Sequence, residues 1–222
     1  TVQIIQTALD KSGTTAECFS SSATQQVDGV VSVRAGDEIV CILTALDDKG
    51  VKIAQKELAP AFSLMSQVTA APAFVSKVIY TGVAGKFTAS FQLKRAGDSS
   101  VQFFYDSSDG NKGVGPKISI SVTAGEFSAE RSSMRCSKSV ASADASDPVA
   151  GPLVCTVTCV DRFANRLTDA GLIAGVIRGF VGSAKCMACG KAVQKRHSNV
   201  IASEDTSSGE VSVVFATGAL VV

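Results

Sequence analysis

Runs of period 2 dominate over period 3.6 along the chain, for example Val30-Val31-Ser32-Val33, Ile39-Val40-Cys41-Ile42-Leu43, Phe87-Thr88-Ala89-Ser90-Phe91-Gln92-Leu93 and Ile118-Ser119-Ile120-Ser121-Val122, with apolar and polar residues alternating most plainly in the last two. Such alternation gives a strand one buried and one wetted face. Turn-forming clusters separate the strands at roughly 8–12 residues: Asp28-Gly29, Ala35-Gly36-Asp37, Asp47-Asp48-Lys49-Gly50, Arg95-Ala96-Gly97-Asp98, Asp109-Gly110-Asn111 and Ala124-Gly125. Short, evenly spaced strands without helices between them predict an all-β sandwich. The stretch from Leu167 to Phe180 is apolar enough for a helix, but Gly171, Gly175 and Gly179 would each cost it about 1 kcal/mol, so strand and loop are expected there.

The chain also repeats itself. Ala35-Gly36-Asp37-Glu38-Ile39-Val40-Cys41-Ile42-Leu43-Thr44-Ala45-Leu46-Asp47-Asp48-Lys49-Gly50 lies over Ala150-Gly151-Pro152-Leu153-Val154-Cys155-Thr156-Val157-Thr158-Cys159-Val160-Asp161-Arg162-Phe163-Ala164-Asn165, with a one-residue slip placed in the turn. Upstream, Cys18 matches Cys136; downstream, Gly85-Lys86-Phe87 to Phe91 matches Gly209-Glu210-Val211 to Phe215. Three landmarks in one order predict a duplicated domain, with units at 1–124 and 125–222.

The Ala-Gly, apolar strand, Asp and small-residue turn series resembles immunoglobulin-like repeats of the filamin type, and those of invasin-type bacterial adhesins. Gly85-Lys86-Phe87-Thr88-Ala89-Ser90-Phe91, then Ala96-Gly97-Asp98 to Phe103, is similar to the late strands of a filamin repeat, and Gly115-Pro116-Lys117 to Val122 to its closing strand. The resemblance implies two tandem antiparallel immunoglobulin-like β-sandwiches. Asp161-Arg162-Phe163-Ala164-Asn165 departs from the Asp-x-x-Gly-Asn pattern at Ala164, so a positive φ is not expected there. Unit 125–222 stops where the first begins its penultimate strand, so its last strand is expected to be missing. Its open edge would then take up a partner strand, as filamin-type modules do.

Composition narrows the role. Lysine and arginine number 21 against 20 acids, a net charge of +1 that gives no field to attract nucleic acid or an anionic membrane. No apolar run approaches the ~20 residues of a membrane span, and no signal peptide is legible at Thr1-Val2-Gln3. One histidine and no tryptophan leave little for acid–base chemistry or stacking. No Gly-x-Ser-x-Gly elbow appears, Gly82-Val83-Ala84-Gly85-Lys86 is not a phosphate loop, and Asp106-Ser107-Ser108-Asp109-Gly110-Asn111 lacks the spacing and final Glu of an EF-hand. The chain is expected not to be an enzyme and to hold no cofactor.

Seven cysteines are many, though odd in number. Cys18 with Cys41, and Cys136 with Cys155, recur at matched places. Each pair either bridges an opening strand to its neighbour, worth roughly 3 kcal/mol by loop entropy, or consists of small buried apolar residues. Cys159, Cys186 and Cys189 belong to the second unit alone. A third disulfide from Cys159 to Cys186 or Cys189 is one reading and no special role another; a zinc site of the three thiolates with His197 is weaker, because the Cys-x-x-Cys has no second half. No Asn-x-Ser/Thr acceptor accompanies them.

Lys185, Lys191, Lys195 and Arg196, beside His197, place four positive charges in a short segment without acids, a patch for an acidic partner or glycan or else a solvated loop. The resemblance implies a spacer and protein-interaction segment of a larger multi-repeat protein, concerned with structure or adhesion. Its setting would be extracellular at a cell surface, with a cytoskeletal or ciliary setting as the alternative. Its partners would be other proteins or further repeats.

Overall fold

The computed structural model describes residues 9–20, 29–66, 75–107, 110–136, 153–178, 182–185, 192–195, 200–201 and 210–215. The chain divides into two compact units, Thr1–Thr123 and Ala124–Val222.

The first unit runs β1 (Leu9–Ser20), β2 (Val30–Arg34), β3 (Glu38–Asp47), a 3-10 turn (Lys56–Ala61), β4 (Phe62–Ser66), β5 (Val75–Lys77), β6 (Ile79–Tyr80), β7 (Lys86–Gln92), β8 (Gly97–Ser107) and β9 (Gly110–Thr123). Two sheets of orders β1-β3-β7-β6 and β2-β9-β8-β4-β5 make an immunoglobulin-like sandwich. The period-2 segments fill its interior: Ile39, Cys41, Leu43 and Ala45 are fully buried from β3, with Phe87 beside Leu43 in the same sheet, and Leu64, Phe103 and Ile120 are buried from the other sheet. Phe62 joins the layers, its ring centroid 4.8 Å from Phe87 and 5.2 Å from Tyr105. Between β5, paired to β4, and β6, paired to β7, the buried Val78 marks the point where the chain changes sheets.

The sandwich is not wholly antiparallel as expected, for β2 pairs with β9 in parallel, Val31 opposite Ile120. Only hairpin-connected neighbours must run antiparallel. Here β2 follows a strand of the other sheet, so no hairpin dictates its direction.

The second unit runs β10 (Ser133–Cys136), β11 (Leu153–Thr158), α1 (Ala170–Arg178), β12 (Gly182–Lys185), β13 (Ala192–Lys195), β14 (Val200–Ile201) and β15 (Glu210–Phe215). Its four-stranded sheet, β10-β11-β15-β14, repeats the order β1-β3-β7-β6. The register repeats as well. Thr158 lies opposite Glu210 as Thr44 lies opposite Lys86, and Cys155 opposite Cys136 as Cys41 lies opposite Cys18.

The helix α1 overturns the expectation of strand and loop at Leu167 to Phe180. Asp169 caps it, its Oδ1 accepting the N–H groups of Gly171 at 2.7 Å and Leu172 at 2.9 Å. Gly171 and Gly175 are exposed and Gly179 lies outside the described residues, while Ile173 and Val176 pack against Val157, Cys159 and Leu167. Burial of the apolar face therefore outweighs the cost of two glycines. By count from the matched cysteines, α1 begins where the first unit has its 3-10 turn; there Pro60, inside that turn, removes an N–H a longer helix would need.

A hydroxyl repeats too. In β1 the Thr14 hydroxyl donates to the Asp10 carbonyl at 2.6 Å and accepts the Leu46 N–H at 3.3 Å, filling the irregularity between Asp10 and Thr15 in the pairing with β3. Ser132 stands in the same relation to its cysteine, donating to the Ser128 carbonyl at 2.7 Å and accepting the Val160 N–H at 3.0 Å. Replacing Thr14 by Val keeps the shape but strands one donor and one acceptor. The expected loss is about 1–3 kcal/mol, read as a lower urea midpoint at unchanged slope; an unchanged midpoint would show the bulge needs no hydroxyl.

Candidate functional site

Among the described residues, Cys18, Cys41, Cys136 and Cys155 lie on a repeated frame that runs from the opening strand through the cysteine pair to the aspartate turn.

Cys18 and Cys41 are disulfide-bonded and wholly buried, with Cα atoms 4.0 Å apart, the close spacing of directly opposed antiparallel residues. The bond joins neighbours within one sheet. In the second unit Cys155 is disulfide-bonded, and Cys136 is its opposite number in the register.

Cys159 corrects the third-disulfide reading: it is a free thiol, buried against Val157, Leu167 and Ile173. Burial pushes its pKa up, so it remains protonated and behaves as a small apolar residue. Cys186, Cys189 and His197 lie outside the described residues. Among the described residues no group of three or more His, Cys, Asp or Glu is placed to hold a metal.

Of the basic segment, Lys185 and Lys195 are on the β12–β13 ribbon, Lys185 opposite Ala192 and Lys195 opposite Gly182. Lys191 and Arg196 are outside the described residues.

The frame ends in a turn whose importance the sequence pattern understated. Asp47 Oδ1 accepts the N–H groups of Lys49 at 3.0 Å and Val51 at 2.7 Å. Asp161 Oδ1 does the same for Phe163 at 2.8 Å and Asn165 at 2.9 Å. Both turns are closed by matching backbone bonds, Gly50 N–H to the Asp47 carbonyl and Ala164 N–H to that of Asp161. Gly50 has φ 75° and Ala164 φ 67°. Ala164 thus adopts the positive φ not expected of it. The one-residue slip is not in the turn either, since each aspartate follows its strand cysteine by the same count and makes the same bonds.

Asp161 is buried completely, and its Oδ2 takes the N–H of Gly125 and the Nδ2 of Asn165, both at 2.8 Å. Burial by itself pushes the carboxyl pKa up. The Asn165 side chain and the backbone N–H groups of Gly125, Asn165 and Phe163 together outweigh it and hold the pKa below the ordinary carboxylate value. The array is a saturated anion cage that leaves the carboxylate no role as an acid or base. A motif search could have found it only by asking which aspartate follows each strand cysteine at a fixed interval.

No protein-family model matches the sequence, and no curated protein matches it significantly. Among solved structures, Yersinia pseudotuberculosis InvD is similar over 71% of this chain and 44% of its own, at 14% identity and TM-score 0.42. The Yersinia pseudotuberculosis adhesin InvE is similar over 94% of this chain and 52% of its own, at 11% identity and TM-score 0.40. Domains 4–9 of the surface layer protein SbsC match over 83% and 28%, at 16% identity and TM-score 0.30. The chain spans about half or less of each of these proteins. The fold assignment rests on strand order and register, not on these likenesses. No helix among the described residues is long and apolar enough to cross a membrane.

Peptide mapping without reduction should recover Cys18 joined to Cys41 and Cys136 joined to Cys155, with Cys159 alkylated only after unfolding. Recovery of Cys136 linked elsewhere would break the parallel between the units.

Acid should destabilise the second unit through Asp161. Its folded pKa lies below an unfolded value of about 3.9, so its contribution is complete above about pH 5 and is lost as the pH falls through the folded pKa. Asp161→Asn should lower stability at neutral pH and reduce the acid-induced loss, measured by urea titration followed on resolved amide signals of that unit. An unaltered acid profile would place the sensitivity elsewhere.

Proposed function

We propose that this chain is a non-enzymatic segment of a longer multi-repeat protein, working outside the cell at its surface as spacer, scaffold or adhesion module. The observation that supports this reading most is the duplicated frame, in which sheet order, register and aspartate turn recur around disulfide-bonded cysteines. Disulfides persist in oxidising compartments, which favours the extracellular setting over a cytoskeletal or ciliary one. A unit built twice on one plan, with its polar groups spent on bracing its own backbone, is suited to holding distance and presenting surface.

Partner proteins would engage it by strand addition or through loops at the sheet ends. The edge strands β6 and β14 are only two residues each, Ile79–Tyr80 and Val200–Ile201, so an added strand beside β7 or β15 is the geometry proposed.

External protease applied to intact cells of the source organism should remove epitopes of this segment while a cytoplasmic marker survives. Digestion only after lysis would reject the surface assignment.

A further inference from the structure

We propose that Asp161 is a latch that fastens the opening segment of the second unit, residues 124–128, to the rest of that unit, in addition to shaping its own turn. The inference does not depend on the functional reading above. Turn-making needs one carboxylate oxygen: Asp161 Oδ1 accepts from Phe163 and Asn165 as Asp47 Oδ1 accepts from Lys49 and Val51. The other oxygen of Asp161, Oδ2, reaches back 36 residues to the Gly125 N–H. Asn165, standing where the first copy has Val51, braces that same oxygen with its side-chain amide at 2.8 Å. Around this bond the incoming segment is pinned twice more, by a bridge pairing Phe127 with Asp161 and by the Ser128 N–H donated to the Val160 carbonyl at 2.8 Å. Ala124 and Phe127 also pack on the cluster of Val157, Cys159, Leu167 and Ile173.

The chemistry makes the latch separable from the turn. In Asp161→Asn the remaining oxygen still accepts from Phe163 and Asn165. The new NH₂ group faces the Gly125 N–H and the Asn165 amide, donor against donor. Asn165 can rotate its own amide oxygen towards it, whereas a backbone N–H has no such recourse. The loss should therefore concentrate on Gly125.

Amide hydrogen exchange on the full chain, disulfides intact, tests this. In the wild type Gly125 should be protected like the amides of β11, and at least tenfold more than the exposed Glu126. Asp161→Asn should accelerate Gly125 at least tenfold relative to β11, and Asp47→Asn should leave Gly125 unchanged. If Gly125 exchanges as fast as Glu126 in the wild type, or keeps its protection in a folded Asp161→Asn protein, there is no latch. Should that variant not fold, the wild-type comparison still decides, together with Asn165→Val, which spares the Gly125 bond and must leave Gly125 protected. Loss of protection there would assign the fastening to Asn165 and overturn the proposal.

Discussion

A one-residue slide of β3 against β1 would turn Ile39, Cys41, Leu43 and Ala45 out of the core and put Val40, Ile42 and Thr44 in their place, because successive residues of a strand point to opposite faces. The first unit prevents that slide at three points along one strand pair. The Cys18–Cys41 bond sets the register near its middle, the Thr14 hydroxyl absorbs the irregularity beyond it, and the Asp47 turn holds the strand's end. The next ladder, β3 with β7, places Phe87 opposite Leu43, and the Phe87 ring packs against Phe62 and Tyr80. The second unit carries the same three points at Ser132, the Cys136/Cys155 pair of positions and Asp161.

Period-2 alternation and spaced turns made the strands of the first unit legible, because half-buried strands write their two faces directly into the sequence. The cysteine pairing of that unit was legible from recurrence. The helix at Ala170–Arg178 was not, since glycine cost was weighed without the Asp169 cap or the apolar face of Ile173 and Val176, and tertiary packing decided the outcome. The direction of β2 was hidden for a different reason: it depends on a strand some ninety residues later, and no local pattern carries that information. The free thiol of Cys159 could not be told from a bonded one by count alone.

Ala164 shows how one copy compensates for losing what the other has. A left-handed alanine costs about 1–2 kcal/mol relative to a right-handed backbone, and Gly50 avoids most of that in the matching turn. In the second unit four donors converge on the Asp161 carboxylate and leave the turn no alternative. Strain at one residue is thus tolerated because the anion beside it is fully satisfied.

The Cys18–Cys41 bond has a consequence for extensibility. Because it ties adjacent strands, the chain between the two cysteines, a separation of 23 residues, cannot be drawn out even after every sheet hydrogen bond has broken. At ~3.3–3.6 Å per extended residue that withholds roughly 80 Å from the stretched length of the first unit. A string of such repeats would yield in short steps, and a reducing agent would lengthen each step without altering the folded shape from which it starts.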